Sequence, residues 1–534
     1  MSFFTTFKAH RTVWRALVPG LLLLIGLRLA YALIAFPNPD EAYYWLWGQQ
    51  LDWSYYDHPP LHGWIQGAVA ALLGSGAGVL RLPTAVSSGL FLHTYVRVCQ
   101  YLYGSQGPLA FGVLLGVLLA SPLYFIYMAM AWQDQWLVVF SLLGAFGLVN
   151  FLEGHGAGQP RYGQLYRAAV WLGLAGLCKY TAVFVGVAGL GVIVTQSRSL
   201  LKQGPLYGAI AIALLCQLPV LLWNRQNNWL SVTYYLTRSV DSGPDGFSLK
   251  PLEVLGFWGF CGLILSPAIT WALWRCCRSP ILTHCPRLYR AMALWLFGVS
   301  TGGLSAVALF STALHYWNIL AYLLLLPLLP AFFLQQGKPQ TAYSTRLTAI
   351  PASRPPALSL TGQWQHRRGF HIMQGLGILA AGAILFNGAI LPLAALAGPD
   401  GDHESRILYG WDQVAQTVQT QLASLPSDTL LLTTDYRSAA LLGYQLRQTH
   451  LTPSVLAISQ RRDQFDIWAT RRPTADKPAL ILADDWHPLT TTWANQFKQL
   501  SPPTTLTIEH RGYPIKTYRL YSSSSFQPPS SELP

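Results

Sequence analysis

The chain has 534 residues, of which 52% are hydrophobic and only 11% charged. A soluble protein of that length cannot cover its surface with so few charges, so the composition excludes an ordinary soluble globular protein and points to a polytopic α-helical membrane protein. The net charge of +13 is of the kind that cytoplasmic loops carry, and with no basic run interleaved with aromatics it implies no nucleic-acid partner.

In chain order, Lys8, Arg11 and Arg15 lead into an apolar run over 13–36, long enough to span a bilayer. Ala30-Tyr31-Ala32 has the form of a signal-peptidase site, but the run continues past it, so an uncleaved anchor is expected. Arg28 interrupts this span and is read as snorkelling to the interface. Further apolar runs at 80–103, 106–128, 135–152, 168–178, 180–196, 205–223, 251–274, 290–311, 315–335 and 371–396 predict roughly eleven spans. The stretch 63–78 is read as re-entrant or interfacial. Alternate loops carry the positive charge: Arg161 and Arg167, Arg198 and Lys202, Arg275 to Arg290, and Lys338 to Arg368. The opposite loops are poor in Lys and Arg, with Lys179, Arg225, Arg238 and Lys250 as exceptions. This asymmetry predicts a cytoplasmic N-terminus and an outer position for the loop after the first span.

Residues 1–398 thus form a transmembrane module, with an outer loop at 37–80 and a cytoplasmic linker, rich in Pro, Ser, Thr and Arg, at 336–370 that is expected to be poorly ordered. Residues 399–521 are polar and mixed, and span parity puts them outside. Runs at 428–434 and 478–484 read as buried strands, 411–425 and 438–448 as helices, and 506–510 with 515–521 as a terminal hairpin around Gly512-Tyr513-Pro514. This is a small α/β domain followed by a tail, 522–534, expected to be disordered. The seven cysteines show no zinc spacing and are expected as buried or reduced thiols.

Candidate chemistry begins at Asn38-Pro39-Asp40-Glu41. Asn38 can cap a helix, Pro39 suits its first position, and Asn38-x-x-Glu41 imitates a capping box. Both acids could therefore serve the helix dipole alone. Two adjacent acids in so uncharged a region also suit catalysis, and the following Tyr43, Tyr44, Trp45 and Trp47 suit the headgroup interface. His58, in Asp57-His58-Pro59-Pro60, is either a solvated turn residue or a phosphate donor. The prolines argue against a metal pair with His62. Asp134 lies between two glutamines and two tryptophans on the same side as Asp40, so an Asp40–Asp134 pair could bind a divalent cation (Mg, Mn or Zn) or divide base and electrostatic roles. Lys179 either snorkels or meets a phosphate. Arg225, Arg238 and His315 are weaker candidates for the same phosphate or the sugar. No Walker loop, GxGxxG or GxSxG elbow is present, and Asp400-Gly401-Asp402 reads as a turn. Without a nucleotide site, a lipid-carried donor is the consistent choice.

Pro39-Asp40-Glu41-Ala42-Tyr43-Tyr44, together with Tyr56-Asp57-His58-Pro59-Pro60-Leu61, resembles the bacterial branch of the protein O-mannosyltransferase and aminoarabinose transferase superfamily. Arg81-Leu82-Pro83, the Asp134 segment, Lys179-Tyr180-Thr181, Leu222-Trp223-Asn224 and the stretch 315–322 fit the same pattern in order, as do Gly410-Trp411, Asp435-Tyr436 and 464–468. The resemblance implies a GT-C fold and a polyprenyl-phosphate sugar donor. It implies Asp40 as the main catalytic position, Glu41 beside it and Asp134 as second acid. It also implies donor-phosphate binding by His58 and Lys179, with Arg238 as a further contributor. Aminoarabinose transferases tend to have Lys where His58 stands, and Gln133 replaces a common Pro. Tyr43, Tyr44, Tyr56, Asp57, Arg225 and His315 are expected to meet the substrates.

On this reading Asp40 takes the proton of an acceptor hydroxyl during inverting transfer to a lipid, glycan or protein, at the outer face of a bacterial inner (plasma) membrane. A transporter or flippase of a lipid-linked sugar is the alternative, although no paired halves with broken helices are evident.

Overall fold

In lipid a chain satisfies its peptide groups only by bonding them within helices, and the apolar runs do this. The computed structural model describes residues 10–74, 76–239, 249–336, 358–397, 402–448, 455–459, 461–471 and 474–528. Lys8, Asp400 with Gly401, the linker interior at 337–357 and the last residues of the tail, 529–534, lie outside them. The first span, α1 (Arg11–Ile34), runs unbroken through Ala30-Tyr31-Ala32. Arg28 does not snorkel outward: its guanidinium turns inward to Ser88 Oγ at 2.9 Å and to the Met128 carbonyl. Two short helices follow, α2 (Pro39–Gln49) and α3 (Leu61–Leu73). Then come α4 (Leu82–Tyr103), α5 (Gly107–Ala120), α6 (Gln133–Gly156), α7 (Tyr162–Gly176) and α8 (Val183–Gln196).

Several later runs are bent. The helices α9 (Gly204–Leu215) and α10 (Leu218–Gln226) meet at 46°. After α11 (Leu230–Ser239), α12 (Pro251–Leu265) and α13 (Pro267–Cys277) meet at 102°. Pro267 cannot donate to a continuing ladder, and Ser266 turns through a positive φ of 102°. The helix α14 (Arg287–Phe310) is straight, the 3-10 stretch His315–Tyr322 bends by 49° into Leu326–Phe333, and α15 (Arg367–Leu385) ends the module. Among the described residues, five helical stretches are long and apolar enough to cross a membrane, or up to eight if each bent pair is one span. The protein is therefore an integral membrane protein. Eleven apolar runs do not translate directly into eleven full-length helices, because several run short or break at proline.

The expected linker is ordered at both ends. Strand β1 (Leu334–Gln336) pairs antiparallel with β2 (Leu360–Trp364), and Leu358 and Leu360 are each 2% exposed. The C-terminal domain carries β3 (Leu430–Thr433), β4 (Val455–Ala457), β5 (Lys477–Asp484), β6 (Phe497–Lys498), β7 (Thr504–His510) and β8 (Tyr513–Phe526). The order is β4-β3-β5-β8-β6, with β7 also on β8. The first three strands are parallel, and β8 is antiparallel to β5. Helices α16 (Trp411–Leu422), α17 (Tyr436–Gln448) and α18 (Gln464–Ala469) complete it. The start of the expected tail is strand instead: Ser522 pairs with Leu480 and Phe526 with Lys477. Composition alone reads a serine run as tail, but β5 offers it a ladder.

Two packing features position α2. A Cβ on Gly48 would stand 2.5 Å from the Gly67 backbone nitrogen, so α2 and α3 cross backbone to backbone, which only glycine at both positions permits. The aromatic face of α2 is not exposed to headgroups as expected. Tyr43, Tyr44, Trp45 and Trp47 are 3%, 7%, 1% and 0% exposed, sharing one core with Leu442, Tyr444 and Phe465 of the C-terminal domain.

Candidate active site

The site is built on one ion pair. Arg81, just before α4, donates through Nε and Nη2 to both oxygens of Glu41, at 2.8 and 2.7 Å. Its remaining donors reach the carbonyls of Tyr31, Ala32, Ala35 and Phe36, in the last turn of α1 and just past it. Glu41 in turn accepts from the backbone N–H of Asn38 at 2.9 Å and of Ala131 at 2.7 Å. The capping box read from the sequence is real, with Asp40 N–H donating to Asn38 Oδ1. Burial alone would raise Glu41, but Arg81 and these hydrogen bonds hold it below the usual carboxylate value. Glu41 is fully buried and does not face the cavity. Its expected place beside Asp40 in catalysis is corrected: it fixes the helix that carries Asp40.

A cavity of about 340 Å³ opens between this corner and the C-terminal domain. Asp40, Tyr43, Tyr44, Asp57, His58, Asp134, Lys179 and Arg238 all line it. Its carboxylates differ sharply. Both oxygens of Asp134 accept from Lys179 Nζ, at 2.8 and 3.1 Å. Asp57 accepts from Tyr43 Oη at 2.6 Å and from Arg461 Nη2 at 2.7 Å. Asp40 alone has no hydrogen-bonded or ion-paired side-chain partner among the described residues. Burial, reinforced by Asp57 and opposed by Arg461, pushes it up to about 6. Such a carboxylate is poised as a base near neutral pH.

Two cations face the same space across Trp317. Lys179 Nζ lies 6.0 Å from its ring centroid and Arg238 Cζ 5.4 Å; Lys179 also sits 5.6 Å from the Tyr316 ring. Val183, Phe184, Leu304 and Val307 add apolar side chains to the same lining. An amphiphile with an anionic head and a hydrocarbon tail matches this mixture of cations and apolar surface.

Three expected substrate residues are placed elsewhere. Arg225 is exposed near the end of α10. His315 packs its ring 5.7 Å from Phe260. Tyr56 is buried against Tyr234 and Trp223, and its N–H bonds Gln464 Oε1 at 2.8 Å. A divalent cation between Asp40 and Asp134 does not fit the donors present. Lys179 occupies both Asp134 oxygens, and among the described residues no three His, Cys, Asp or Glu side chains gather as a metal site. His62 is also turned away, with Nε2 2.8 Å from the Ala131 carbonyl.

The C-terminal domain supplies cavity residues that sequence reasoning did not single out. Arg461 and Tyr436 line the cavity, and the Arg461 guanidinium stands 5.2 Å from the Tyr436 ring and 5.5 Å from that of Tyr234. Gln464 N–H donates to Tyr43 Oη at 2.8 Å. The sequence signal was the Asp463-Gln464-Phe465-Asp466 capping box directly after Arg461-Arg462.

Comparisons with known proteins agree with this architecture. The family model described as dolichyl-phosphate-mannose-protein mannosyltransferase matches residues 57–223. The lipid A galacturonosyltransferase RgtD of Rhizobium johnstonii is 27% identical over 274 residues, covering 49% of this chain and 55% of that protein. The chain therefore matches little more than half the length of this curated relative. ArnT from Cupriavidus metallidurans superposes with a TM-score of 0.58 bound to undecaprenyl phosphate and 0.59 in the apo state, at 14% and 13% identity. Both superpositions cover 94% of this chain and 97% of the other, so the fold is shared over nearly the whole length.

The division of labour between adjacent acids is testable by thermal unfolding in detergent. Glu41→Gln leaves Arg81 buried without its counter-charge and is expected to cost roughly 3–5 kcal/mol. Asp40→Asn breaks no protein contact of the carboxylate and is expected to leave the unfolding temperature close to wild type.

Proposed function

We propose that this chain, which is similar in sequence to a mannosyltransferase family model and to a lipid A galacturonosyltransferase and in fold to ArnT, is a polyprenyl-phosphate-sugar glycosyltransferase that transfers a sugar from its lipid-linked donor to a hydroxyl of a lipid, glycan or protein acceptor. The observation that carries this reading is the make-up of one cavity's lining: one unpartnered carboxylate, Asp40, two cations, Lys179 and Arg238, and apolar side chains such as Phe184 and Val307. We further assign the reaction to the extracytoplasmic face of a bacterial inner membrane. The loop-charge asymmetry of the sequence supports that orientation.

In this reaction the acceptor oxygen attacks the anomeric carbon as its proton passes to an Asp40 oxygen. The bond from the anomeric carbon to the phosphate oxygen breaks on the opposite face, which inverts the configuration. The electron pair leaves with the polyprenyl phosphate, where Lys179 and Arg238 meet the developing charge. Asp134 aims the Lys179 ammonium, and Arg461 holds Asp57 and, through it, the Tyr43 hydroxyl. No step requires a metal, consistent with the donor set described above. A flippase of the same lipid is not favoured: the named relatives are transferases, and a flippase has no need of an unpartnered base.

Reconstituted into liposomes with a polyprenyl-phosphate sugar, Asp40→Asn is expected to lower transfer roughly 10²–10⁴-fold, read as glycosylated acceptor by mass spectrometry. Transfer at the wild-type rate would overturn the assignment. The pH profile follows from the raised value of Asp40. The base is lost as pH falls through about 6, so kcat/KM should rise across that value and level off above it. An acidic limb near the ordinary carboxylate value of 3.8 would contradict a buried, unpartnered base.

A further inference from the structure

His58 stands in the turn between α2 and α3, fixed by Pro59 and Pro60, and lines the cavity. Its Nδ1 lies 2.8 Å from Tyr235 Oη. A phenol has one proton, and that of Tyr235 is donated to the Asp57 backbone carbonyl. Tyr235 therefore cannot donate to His58 and must accept from it. Nδ1 carries the hydrogen. Burial, together with Lys179, Arg238 and Arg461, keeps this imidazole well below its ordinary value and so neutral. A neutral imidazole has one N–H, which leaves Nε2 bare. No described residue donates to it.

A bare nitrogen and a phosphate oxygen are both acceptors and have no proton to share. A hydroxyl has one. We propose that His58 is a hydroxyl-recognising residue, accepting a hydrogen bond at Nε2 from the transferred sugar or from the acceptor, and takes no part in holding the donor phosphate. The inference builds on the transfer reading above and gives His58 a different role from the one that the sequence resemblance implied. It also divides the work of the site. Lys179 and Arg238 take the anion at Trp317, and His58, locked by Tyr235, takes hydroxyls.

The test compares His58→Gln, which keeps an acceptor oxygen, with His58→Lys, which offers donors only, and with Lys179→Met. Binding of undecaprenyl monophosphate, a probe with no sugar, is measured first by native mass spectrometry. His58→Gln is expected within about 2-fold of wild type, whereas Lys179→Met should lose at least about 10-fold. Transfer kcat/KM should then be at least about 10-fold higher in His58→Gln than in His58→Lys. A rise in KM for the donor assigns the hydroxyl to the sugar, and a rise for the acceptor assigns it there. Tyr235→Phe, which removes the group that fixes the tautomer, should lower transfer and keep binding of the bare lipid. The proposal is overturned if His58→Gln loses the bare lipid as Lys179→Met does, or if His58→Lys transfers like wild type. The binding arm needs no transfer, so it judges His58 even if the transfer reading fails.

Discussion

The Arg81–Glu41 pair is the constraint on which the site depends. One guanidinium closes the C-terminal end of α1, and one carboxylate closes the N-terminal end of α2 and ties down Ala131 just before α6. Two side chains thus serve the end of α1, the start of α2 and the Ala131 N–H between α5 and α6. The corner so formed sets Asp40, in the first turn of α2, on the same cavity as Asp134, in the first turn of α6. Placing these acids at helix N-termini costs little, because the dipoles favour negative charge there.

That frame lets neighbouring acids take different work. Glu41 pairs with Arg81, Asp134 with Lys179, and Asp57 joins the loop after α2 to the C-terminal domain through Arg461. Asp40 is left without a side-chain partner among the described residues. The C-terminal domain helps to build the cavity: α17 and α18 pack on the aromatic face of α2, and Arg461 and Tyr436 line the cavity. A transmembrane module alone would lack a cation and one wall of its cavity.

Local features were legible in the sequence. The Asn38–Glu41 capping box, Pro39 at the first helical position, the β3 and β5 strands and the terminal hairpin all follow from short-range pattern. Partnerships across the chain were not. Glu41 and Arg81 are 40 residues apart, and Asp57 and Arg461 are 404 apart, so no spacing rule joins them. Helix phase decided the rest: Arg225, near the end of α10, and His315, beside the cavity residues Tyr316 and Trp317, do not line the cavity. Composition misled where pairing overrode it, as at 358–364 and Ser522–Phe526. Span counting was limited by proline breaks such as that at Pro267.

The most direct measurement is a structure of the protein in lipid nanodiscs with undecaprenyl phosphate bound. The account predicts the phosphate between Lys179 and Arg238, against Trp317, with its chain leaving past Phe184 and Val307 and the Asp40 carboxylate facing the vacant sugar position. A phosphate seated away from Trp317, or one bound against Arg81 with Glu41 displaced, would contradict it.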